Sequence, residues 1–239
     1  KGDFGMNPYV ERLQKVIAFV AAFLFIICLL LSSFEWAVYK DEDYKFYEKE
    51  YEKYEVTKEL DMEMEDVMYV TEEMMAYLIG EREELSVWTT VEGREQDFFN
   101  EQDRFHMGEV RTLFIGGLKL RNGLFFVVVG LNLVLVFMKK KNVFIKMTFT
   151  AGAVFLGICA VVGIACAMNF TKVFYLFHQI VFDNEEWLFD PAVDYMIRML
   201  PEGFFFDMLV RIGTMFGLWL IALMGASLVY RILEKKQNK

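Results

Sequence analysis

Four long stretches of the sequence carry no formal charge, and they constrain the fold more than any other feature. They cover residues 16–34, 122–138, 147–171 and 212–230, which are 19, 17, 25 and 19 residues long. A helix of roughly 20 apolar residues crosses a bilayer core of about 30 Å. Any one stretch could instead be a buried helix of a globular protein. Four together, with charges only at their edges, predict four transmembrane helices.

The composition excludes several other classes of protein. Hydrophobic residues make up 56% of the chain, which excludes intrinsic disorder, and three cysteines in 239 residues exclude a small disulfide-stapled fold. The net charge of −9 argues against nucleic acid as a partner, because phosphate binding needs a basic face. Charged residues are still 25% of the chain, so they must be concentrated outside the apolar stretches.

The charges between the apolar stretches predict the orientation. Residues 1–15, 139–146 and 231–239 together hold eleven basic and three acidic residues, whereas 35–121 holds 11 and 24, and 169–208 holds two and seven. Basic segments stay in the cytoplasm, so both termini are expected there. No signal-peptide cleavage pattern follows the first span, so this span is expected to remain in the mature protein.

The expected order of segments along the chain follows from these assignments. It is 1–34, cytoplasmic N-terminus and first span; 35–121, acidic helical extracytoplasmic domain; 122–171, spans two and three with a basic cytoplasmic loop; 172–208, extracytoplasmic loop; 209–239, fourth span and basic tail.

The sequence predicts that the outer domain is helical throughout residues 40–120, so the expected fold class is all-α. An apolar stripe at helical spacing predicts a helix over 61–78 that ends at Gly80. A third helix is predicted to start near Asn100, whose side chain can cap it with Asp103 three residues on, and to run toward the second span. The stripe consists of Met64, Val67, Met68, Thr71, Met74, Met75 and Leu78, and a second one of Tyr44, Tyr47, Tyr51 and Tyr54. Both stripes are interpreted as packing surfaces, with a lipid- or peptide-binding surface as the alternative.

Small residues at four-residue spacing occur in two of the predicted spans. Such pairs let helices approach closely in a membrane. The sequence therefore predicts close helix contacts at three pairs: Ala153 and Gly157, Gly213 and Gly217, and Ala222 and Ala226.

The chain has only two histidines, and both are candidates for proton transfer. His106 lies on the segment leading into the second span, and His178 follows the third charge-free stretch by seven residues. Two outer segments that are far apart in the sequence are thus expected to bring their imidazoles to the same depth of the outer leaflet. An imidazole with a pKa of about 6.5 is suited to acid–base work near neutral pH. Asp103 and Glu109, three residues to either side of His106, are spaced to orient its ring.

A nucleophile for acyl-enzyme chemistry is not evident. The four serines form no Gly-x-Ser-x-Gly elbow, and no cysteine lies in a predicted outer segment. Metal catalysis remains an alternative, because both histidines with Asp103 and Glu109 could ligate a divalent ion, although the His-Glu-x-x-His pattern is missing. The other option is proton-transfer catalysis on a substrate that carries its own nucleophile.

Two stretches of the sequence surround the histidines. The first is Phe99-Asn100-Glu101-Gln102-Asp103-Arg104-Phe105-His106-Met107-Gly108-Glu109-Val110, and the second comprises Phe177-His178, Asn184, Trp187, Asp190-Pro191 and residues 201–205. These stretches resemble the histidine motifs of the lipoprotein intramolecular transacylase (Lit) family of Gram-positive bacteria. The four-span topology and the long segment after the first span also match, so the resemblance covers nearly the whole chain.

The resemblance implies an acyl migration within one lipoprotein molecule. The substrate would carry a thioether-linked diacylglycerol and a free α-amino group on its N-terminal cysteine. Its sn-2 acyl chain would move to that amine and give the N-acyl-S-monoacylglyceryl (lyso-form) lipoprotein. Attacker and ester then belong to one molecule, which agrees with the missing nucleophile. The expected partners are this lipoprotein and membrane lipid, with no cofactor or metal, and the site would face the outer leaflet of a bacterial cell membrane.

On this interpretation His106 and His178 catalyse the proton transfers. Arg211, at the start of the fourth span, is costly if it faces lipid, so its side chain is expected either to snorkel outward or to meet an acid such as Asp207. The residues expected to orient the histidines or to bind substrate are Asn100, Asp103, Glu109, Asn184, Trp187, Asp190 and Arg211.

Two other functions stay open at the level of sequence. One is a non-enzymatic membrane scaffold or binding protein that recruits a partner through the acidic outer domain. The other is a metal-dependent lipid hydrolase, which would release free fatty acid.

Overall fold

A computed structural model describes residues 8–138 and 142–237. Among the residues that set the predicted orientation, Lys1, Asp3, Lys139 to Lys141 and Lys239 lie outside these ranges. In chain order the elements are α1 (Pro8–Val38), a 3₁₀ turn (Glu42–Tyr44), α2 (Lys45–Lys53), α3 (Val56–Leu60), α4 (Met64–Ile79), β1 (Trp88–Val91), β2 (Arg94–Asp97), α5 (Glu101–Phe137), α6 (Val143–Met168), α7 (Phe170–Val181), α8 (Tyr195–Met199) and α9 (Glu202–Gln237).

The described chain forms two compact units. The first contains residues 8–34, 119–164 and 213–237, and the second contains 35–118 and 165–212. Helices α1, α5, α6 and α9 are each long and apolar enough to cross a membrane, which confirms the four predicted spans. The apolar part of α5 begins after Arg121, so the first five turns of this helix belong to its charged section.

The third predicted span ends earlier than its charge-free stretch suggests. Helix α6 stops at Met168, and a new helix, α7, starts at Phe170. Asn169 makes the break, because its side-chain Oδ1 accepts a hydrogen bond from the Lys172 backbone N–H at 2.9 Å and so caps α7. The residues at the break are uncharged, so a count of charges could not detect it.

The core of the first unit is formed by α1, α6 and α9. Its central side chains are Ala22, Ile26, Ala151, Phe155, Phe216 and Leu220. The predicted contacts at small-residue pairs are wrong, since a Cβ added at Gly157, Gly213 or Gly217 would meet nothing within 4 Å. The alanines of these pairs, Ala153, Ala222 and Ala226, are exposed. The close approach is instead at Gly152, where a Cβ would lie 2.7 Å from Met224 Cγ.

The core of the second unit contains most of the predicted stripe on α4 and two of the four tyrosines of the other stripe, Tyr47 and Tyr51. On α4 the buried residues are Val67, Val70, Thr71, Met74, Met75, Tyr77 and Leu78. Tyr51 is fully buried and its hydroxyl lies 2.7 Å from Thr71 Oγ1, which in turn donates to the Val67 carbonyl at 2.9 Å. Helix α4 ends at Gly80, whose φ of 86° is the left-handed conformation that closes a helix. The stripes are therefore packing surfaces, and the predicted stop is confirmed.

The prediction that residues 40–120 are helical throughout is wrong at one place. Strands β1 and β2 pair antiparallel, with Trp88 opposite Asp97 and Val91 opposite Arg94. The two-residue turn between them, Glu92 and Gly93, has φ angles of 53° and 71°, as a hairpin turn with the right-handed twist of the strands requires. The chain is thus mostly helical with one small hairpin.

One glycine of the second unit lies against an aromatic ring. A Cβ added at Gly203, in the first turn of α9, would be 2.6 Å from Cε1 and Cζ of Tyr54. The Tyr54 hydroxyl donates to Asp207, which also accepts from Lys53. The ring therefore has a fixed position, and only glycine fits beside it.

We expect Gly203→Ala to lower the thermal unfolding temperature of the detergent-solubilised protein. The added methyl group must displace the Tyr54 ring, and overpacking of this kind costs about 1–3 kcal/mol. The control is Gly213→Ala on the same helix, where the space is open. Because alanine favours a helix more than glycine does, this variant should keep the stability unchanged or raise it by about 0.5–1 kcal/mol. Equal unfolding temperatures of the two variants would contradict the packing described.

Candidate active site

Helix α5 starts with a reciprocal pair of hydrogen bonds. Asn100 Oδ1 accepts from the Asp103 backbone N–H at 2.9 Å, and Asp103 Oδ2 accepts from the Asn100 backbone N–H at 3.0 Å. This is the predicted cap, and it satisfies two N–H groups that a helix start leaves free. Asn100 Nδ2 also donates to Asp194, a buried residue that precedes α8. The cap thereby fixes where α5 begins, and His106 follows one turn after Asp103.

His178 lies on the buried side of α7. Its Nδ1 is 2.7 Å from the carbonyl oxygen of Phe174, one turn earlier. A carbonyl only accepts, so Nδ1 must carry the proton, and the Nε2 of the neutral ring holds the free lone pair. The rings of Phe174 and Trp187 pack against the imidazole with centroid distances of 4.3 and 5.0 Å.

The structure brings the two histidines together. Their ring centroids are 6.0 Å apart, and the ring planes differ by 27°. Phe182 contacts both rings, at 4.8 Å from His106 and 5.6 Å from His178, and Phe189 lies 5.4 Å from His106. Only 6% of His106 and 8% of His178 is exposed. Two imidazoles from distant segments thus share one aromatic surrounding.

Burial sets the protonation of both rings. Together with the smaller effect of the neighbouring His178, it lowers the pKa of His106 to about 4. Burial also lowers the pKa of His178, although the hydrogen bond with the Phe174 carbonyl opposes this. Both rings are consequently neutral near pH 7, and each has a lone pair with which to accept a proton.

Glu109 links His106 to the segment that follows α7. Its Oε1 accepts from Asn184 Nδ2 at 2.8 Å, and its Oε2 lies 3.9 Å from His106 Nδ1. Both of these last atoms are buried and lack a hydrogen-bond partner among the described residues. The separation is too long for a direct hydrogen bond. The carboxylate is nevertheless close enough to stabilise a positive charge on the ring.

Asp103 differs from Glu109 in its surroundings. It is fully buried, and its Oδ1 lacks a hydrogen-bond partner within the described part of the chain. Burial raises the pKa of its carboxyl group to about 7, against the lowering effect of the Asn100 backbone N–H. The hydrogen bonds of Asp103 are those of the helix cap, so its geometry supports a role in positioning α5.

Residues 182–190 pack beside the histidines and are tied to α5. Trp187 Nε1 donates to the Asn184 carbonyl at 2.8 Å, and Asn184 Oδ1 accepts from the Glu186 backbone N–H at 2.9 Å. Gln102 Nε2 donates to the carbonyls of Glu186 and Leu188 at 2.9 and 3.1 Å. Sequence reasoning missed Gln102, although it lies within the first histidine motif. An open cavity of about 360 Å³ adjoins this segment, lined by Tyr175, Gln179, Phe182, Asp183, Asn184, Glu185, Trp187 and Leu188.

Asp190 makes only a local contact within this segment. Its exposed carboxylate accepts from the Ala192 backbone N–H at 3.0 Å, while its own backbone N–H donates to Asp194 at 2.6 Å. Asp194, which is 1% exposed and bonded to Asn100, therefore connects this turn to the start of α5. Asp194 was not among the predicted residues, because no local pattern distinguishes it from Asp190.

Arg211 pairs with an acid, as predicted, but this acid is not Asp207. It pairs with Asp41 at 3.0 Å and lies over the Phe46 ring at 4.4 Å, whereas Asp207 binds Lys53 and Tyr54. The choice of Asp207 was wrong because residues 53 and 54 compete for its carboxylate, and the sequence could not place them beside it. Among the described residues, the contacts of Arg211 are with Asp41 and Phe46 and not with the histidines.

A metal site is not formed by the described residues. No group of three or more His, Cys, Asp or Glu residues in 8–138 and 142–237 comes together in a way that could hold a metal ion.

Comparison with known proteins identifies the fold and the family. The fold is similar to solved structures of the membrane-integral lipoprotein intramolecular transacylase Lit from Bacillus cereus. One of these has 21% sequence identity and a TM-score of 0.70, and the match covers 97% of this chain and 99% of that one. Two variants of the same protein, with one histidine replaced by alanine or by arginine, give TM-scores of 0.72 and 0.69 at 20% and 21% identity, covering 96% of this chain and 97% and 96% of theirs.

Of two sequence comparisons, one gave a match and the other gave none. A comparison with curated proteins gave no match. The profile of the family described as lipoprotein intramolecular transacylase Lit matches residues 19–205, well over half of the chain. The chain therefore belongs to the lipoprotein intramolecular transacylase (Lit) family.

Proposed function

We propose that this membrane acyltransferase moves the sn-2 acyl chain of an S-diacylglyceryl-cysteine to the α-amino group of the same cysteine. The product is an N-acyl-S-monoacylglyceryl, lyso-form lipoprotein, and the proton transfers are carried out by His106 and His178. The observation that carries the proposal is the pair of buried, neutral imidazoles whose ring centroids lie 6.0 Å apart. The family assignment supplies the class of substrate.

In the proposed reaction the α-amine attacks the sn-2 ester carbonyl. The new N–C bond forms as His106 takes a proton from the amine nitrogen. Glu109, 3.9 Å from His106 Nδ1, stabilises the imidazolium that results. The bond between the acyl carbonyl carbon and the sn-2 oxygen then breaks, and the departing sn-2 alkoxide takes up a proton. In total, one ester becomes one amide and one free hydroxyl, with no water consumed.

His178 is proposed as the ring that relays the proton to the leaving group. Its Nδ1–H is held by the Phe174 carbonyl, so its Nε2 is the atom free to exchange a proton. Asn184 holds Glu109 in position, and Trp187 packs on His178. The other predicted residues have a positioning role in this proposal. The cap of α5 contains Asn100 and Asp103, and the turn bonded to it contains Asp190. Arg211 acts through its contact with Asp41. Holding amine and ester in one site can remove about 7–11 kcal/mol of barrier.

We propose further that both termini are cytoplasmic and that the second unit faces the outside. The acidic charge of residues 35–121 and 169–208 supports this orientation, since basic segments are retained in the cytoplasm. The histidines then act at the outer leaflet, where a diacylglyceryl lipoprotein has its lipid anchor.

Mass spectrometry of a synthetic diacylglyceryl lipopeptide tests the reaction. The purified protein should leave the total mass unchanged while fragment ions show one acyl chain attached through an amide to the terminal nitrogen. Loss of one acyl mass, with release of free fatty acid, would show hydrolysis and contradict the proposal. A lipopeptide that is N-acetylated beforehand should remain unchanged, because its nitrogen cannot attack.

Replacing either imidazole should abolish conversion without unfolding the protein. We expect His106→Ala and His178→Ala each to lower the rate by about 10²–10⁴-fold, the usual contribution of a positioned acid or base. Glu101→Gln, an exposed change on the first turn of α5, is the matched control and should retain activity. Lyso-form product at the wild-type rate in both histidine variants would refute the assignment.

The pH profile of kcat/KM should reflect the substrate amine and not the imidazoles. The attacking amine must be unprotonated, and an α-amino group has a pKa of about 8, so the logarithm of the rate should rise with slope one below that pH. The lowered pKa keeps His106 neutral down to about pH 4, and the pKa of His178 also lies below its ordinary value. A slope that already turns from one to two near pH 6.5, the ordinary pKa of histidine, would contradict the buried neutral pair.

A further inference from the structure

The residues of α7 fall into three sectors around the helix. At 100° per residue, one sector faces the protein, one is polar and one is apolar. The sector that faces the protein contains Phe170, Phe174 and His178; the polar sector contains Thr171, Lys172, Tyr175 and Gln179; and the apolar sector contains Val173, Leu176, Phe177 and Ile180.

The inner sector packs against the first turns of α9. The Phe170 ring lies 5.2 Å from that of Phe206, and the Phe174 ring lies 5.3 Å from that of Phe205. Thr171 adds a hydrogen bond to Glu202 at 2.6 Å. These contacts fix how α7 is rotated about its axis, and they leave the apolar sector on the outside.

The apolar sector is exposed to a degree unusual for large side chains. Leu176 is 54% exposed, Phe177 is 51% exposed and Ile180 is 73% exposed. They adjoin one another at helical spacing and form a continuous apolar strip. In water such a strip would be unfavourable, and it marks a surface that another apolar medium covers.

The position of α7 in the chain identifies that medium. The helix starts two residues after the end of α6, a spanning helix whose last residue, Met168, is 81% exposed. It packs on α9 at residues 202–206, just before the charge-free stretch of that helix begins at residue 212. Both neighbours are ends of spanning helices. Such a place lies at the boundary between lipid and water.

We propose that α7 is an interfacial helix whose apolar strip, Leu176, Phe177 and Ile180, is covered by phospholipid at the boundary between headgroups and acyl chains. The polar sector, with Lys172 and Gln179, faces water, and the inner sector holds His178 at the same depth. An amphipathic helix of this kind inserts its apolar face about 5–10 Å into the leaflet. The membrane, and not only the packing against α9, then sets the level of this imidazole.

Photocrosslinking of the full chain in vesicles of phosphatidylcholine and phosphatidylglycerol tests this placement. A diazirine-bearing amino acid is introduced singly at Leu176, Ile180, Lys172 or Gln179, all of which are exposed side chains. After irradiation, mass spectrometry should find phospholipid adducts at Leu176 and Ile180 in at least about fivefold greater yield than at Lys172 and Gln179, as an interfacial helix with one lipid-facing side requires.

The same diazirine at Ile164, an exposed residue of the apolar part of α6, is the positive control for lipid adducts. Equal yields at the four α7 positions, or crosslinks between two copies of the chain at Ile180 in place of lipid, would overturn the proposal. The measurement requires no turnover, so its failure is distinct from a failure of the transacylase proposal. Only protein that elutes as a single species is reconstituted, and two positions per sector guard against a single substitution that misfolds.

Discussion

A helix that crosses a bilayer must satisfy its backbone and side-chain polar groups within the protein, and this constraint organises the whole chain. In the first unit, Thr148 donates to the Phe144 carbonyl at 2.9 Å and Ser227 to the Ile145 carbonyl at 2.5 Å, so both buried hydroxyls are paired. The core there is aliphatic and aromatic. Both histidines, by contrast, belong to the second unit, where α7 supplies the Phe174 carbonyl and α5 supplies Glu109, itself bonded by the Asn184 amide from the segment after α7. The apolar core and the histidine pair are thus assigned to different parts of the sequence.

The surroundings of the histidines show how buried polar groups are supported. A neutral imidazole costs much less to bury than a carboxylate does. Glu109 is accordingly held by an amide from Asn184, and only its second oxygen is turned toward His106. The Asp103 carboxyl is buried completely, and its raised pKa reduces the cost by favouring the neutral form. Two acids with the same spacing from one histidine therefore have different electrostatic roles, which their sequence positions could not distinguish.

The sequence predicted those features that depend on composition along the chain. Four spans, the cap at Asn100 and Asp103, the stop at Gly80 and the buried stripe on α4 all follow from local pattern, and the structure agrees. The hairpin was missed because the Trp88–Val91 strand is only four residues long and lies between helical segments. The α6–α7 break was missed because Asn169 is uncharged.

Partners that come from distant segments were harder to predict. The sequence predicted that both histidines lie near spans, and in the structure their ring centroids are 6.0 Å apart. It could not assign Asp41 to Arg211, because 170 residues separate them and other acids lie much nearer in the chain. Gln102 was not predicted for the same reason, because the two carbonyls to which its side chain donates are more than 80 residues away in the sequence. Local capping and periodicity are encoded within a few residues, whereas the choice among equivalent charged partners is made only by tertiary packing.

Exclusion of water has a specific consequence for the proposed acyl transfer. The attacking amine and a water molecule would compete for the same ester carbonyl, and attack by water would release the fatty acid. Phe174, Phe182, Phe189 and Trp187 surround the imidazoles and leave less than a tenth of either ring exposed. A base that is shielded in this way accepts a proton only from a group that enters with the substrate. In the proposed reaction, the aromatic packing that lowers the histidine pKa values would thus also favour migration over hydrolysis, because the only nucleophile brought to the base would be the one that the lipoprotein carries.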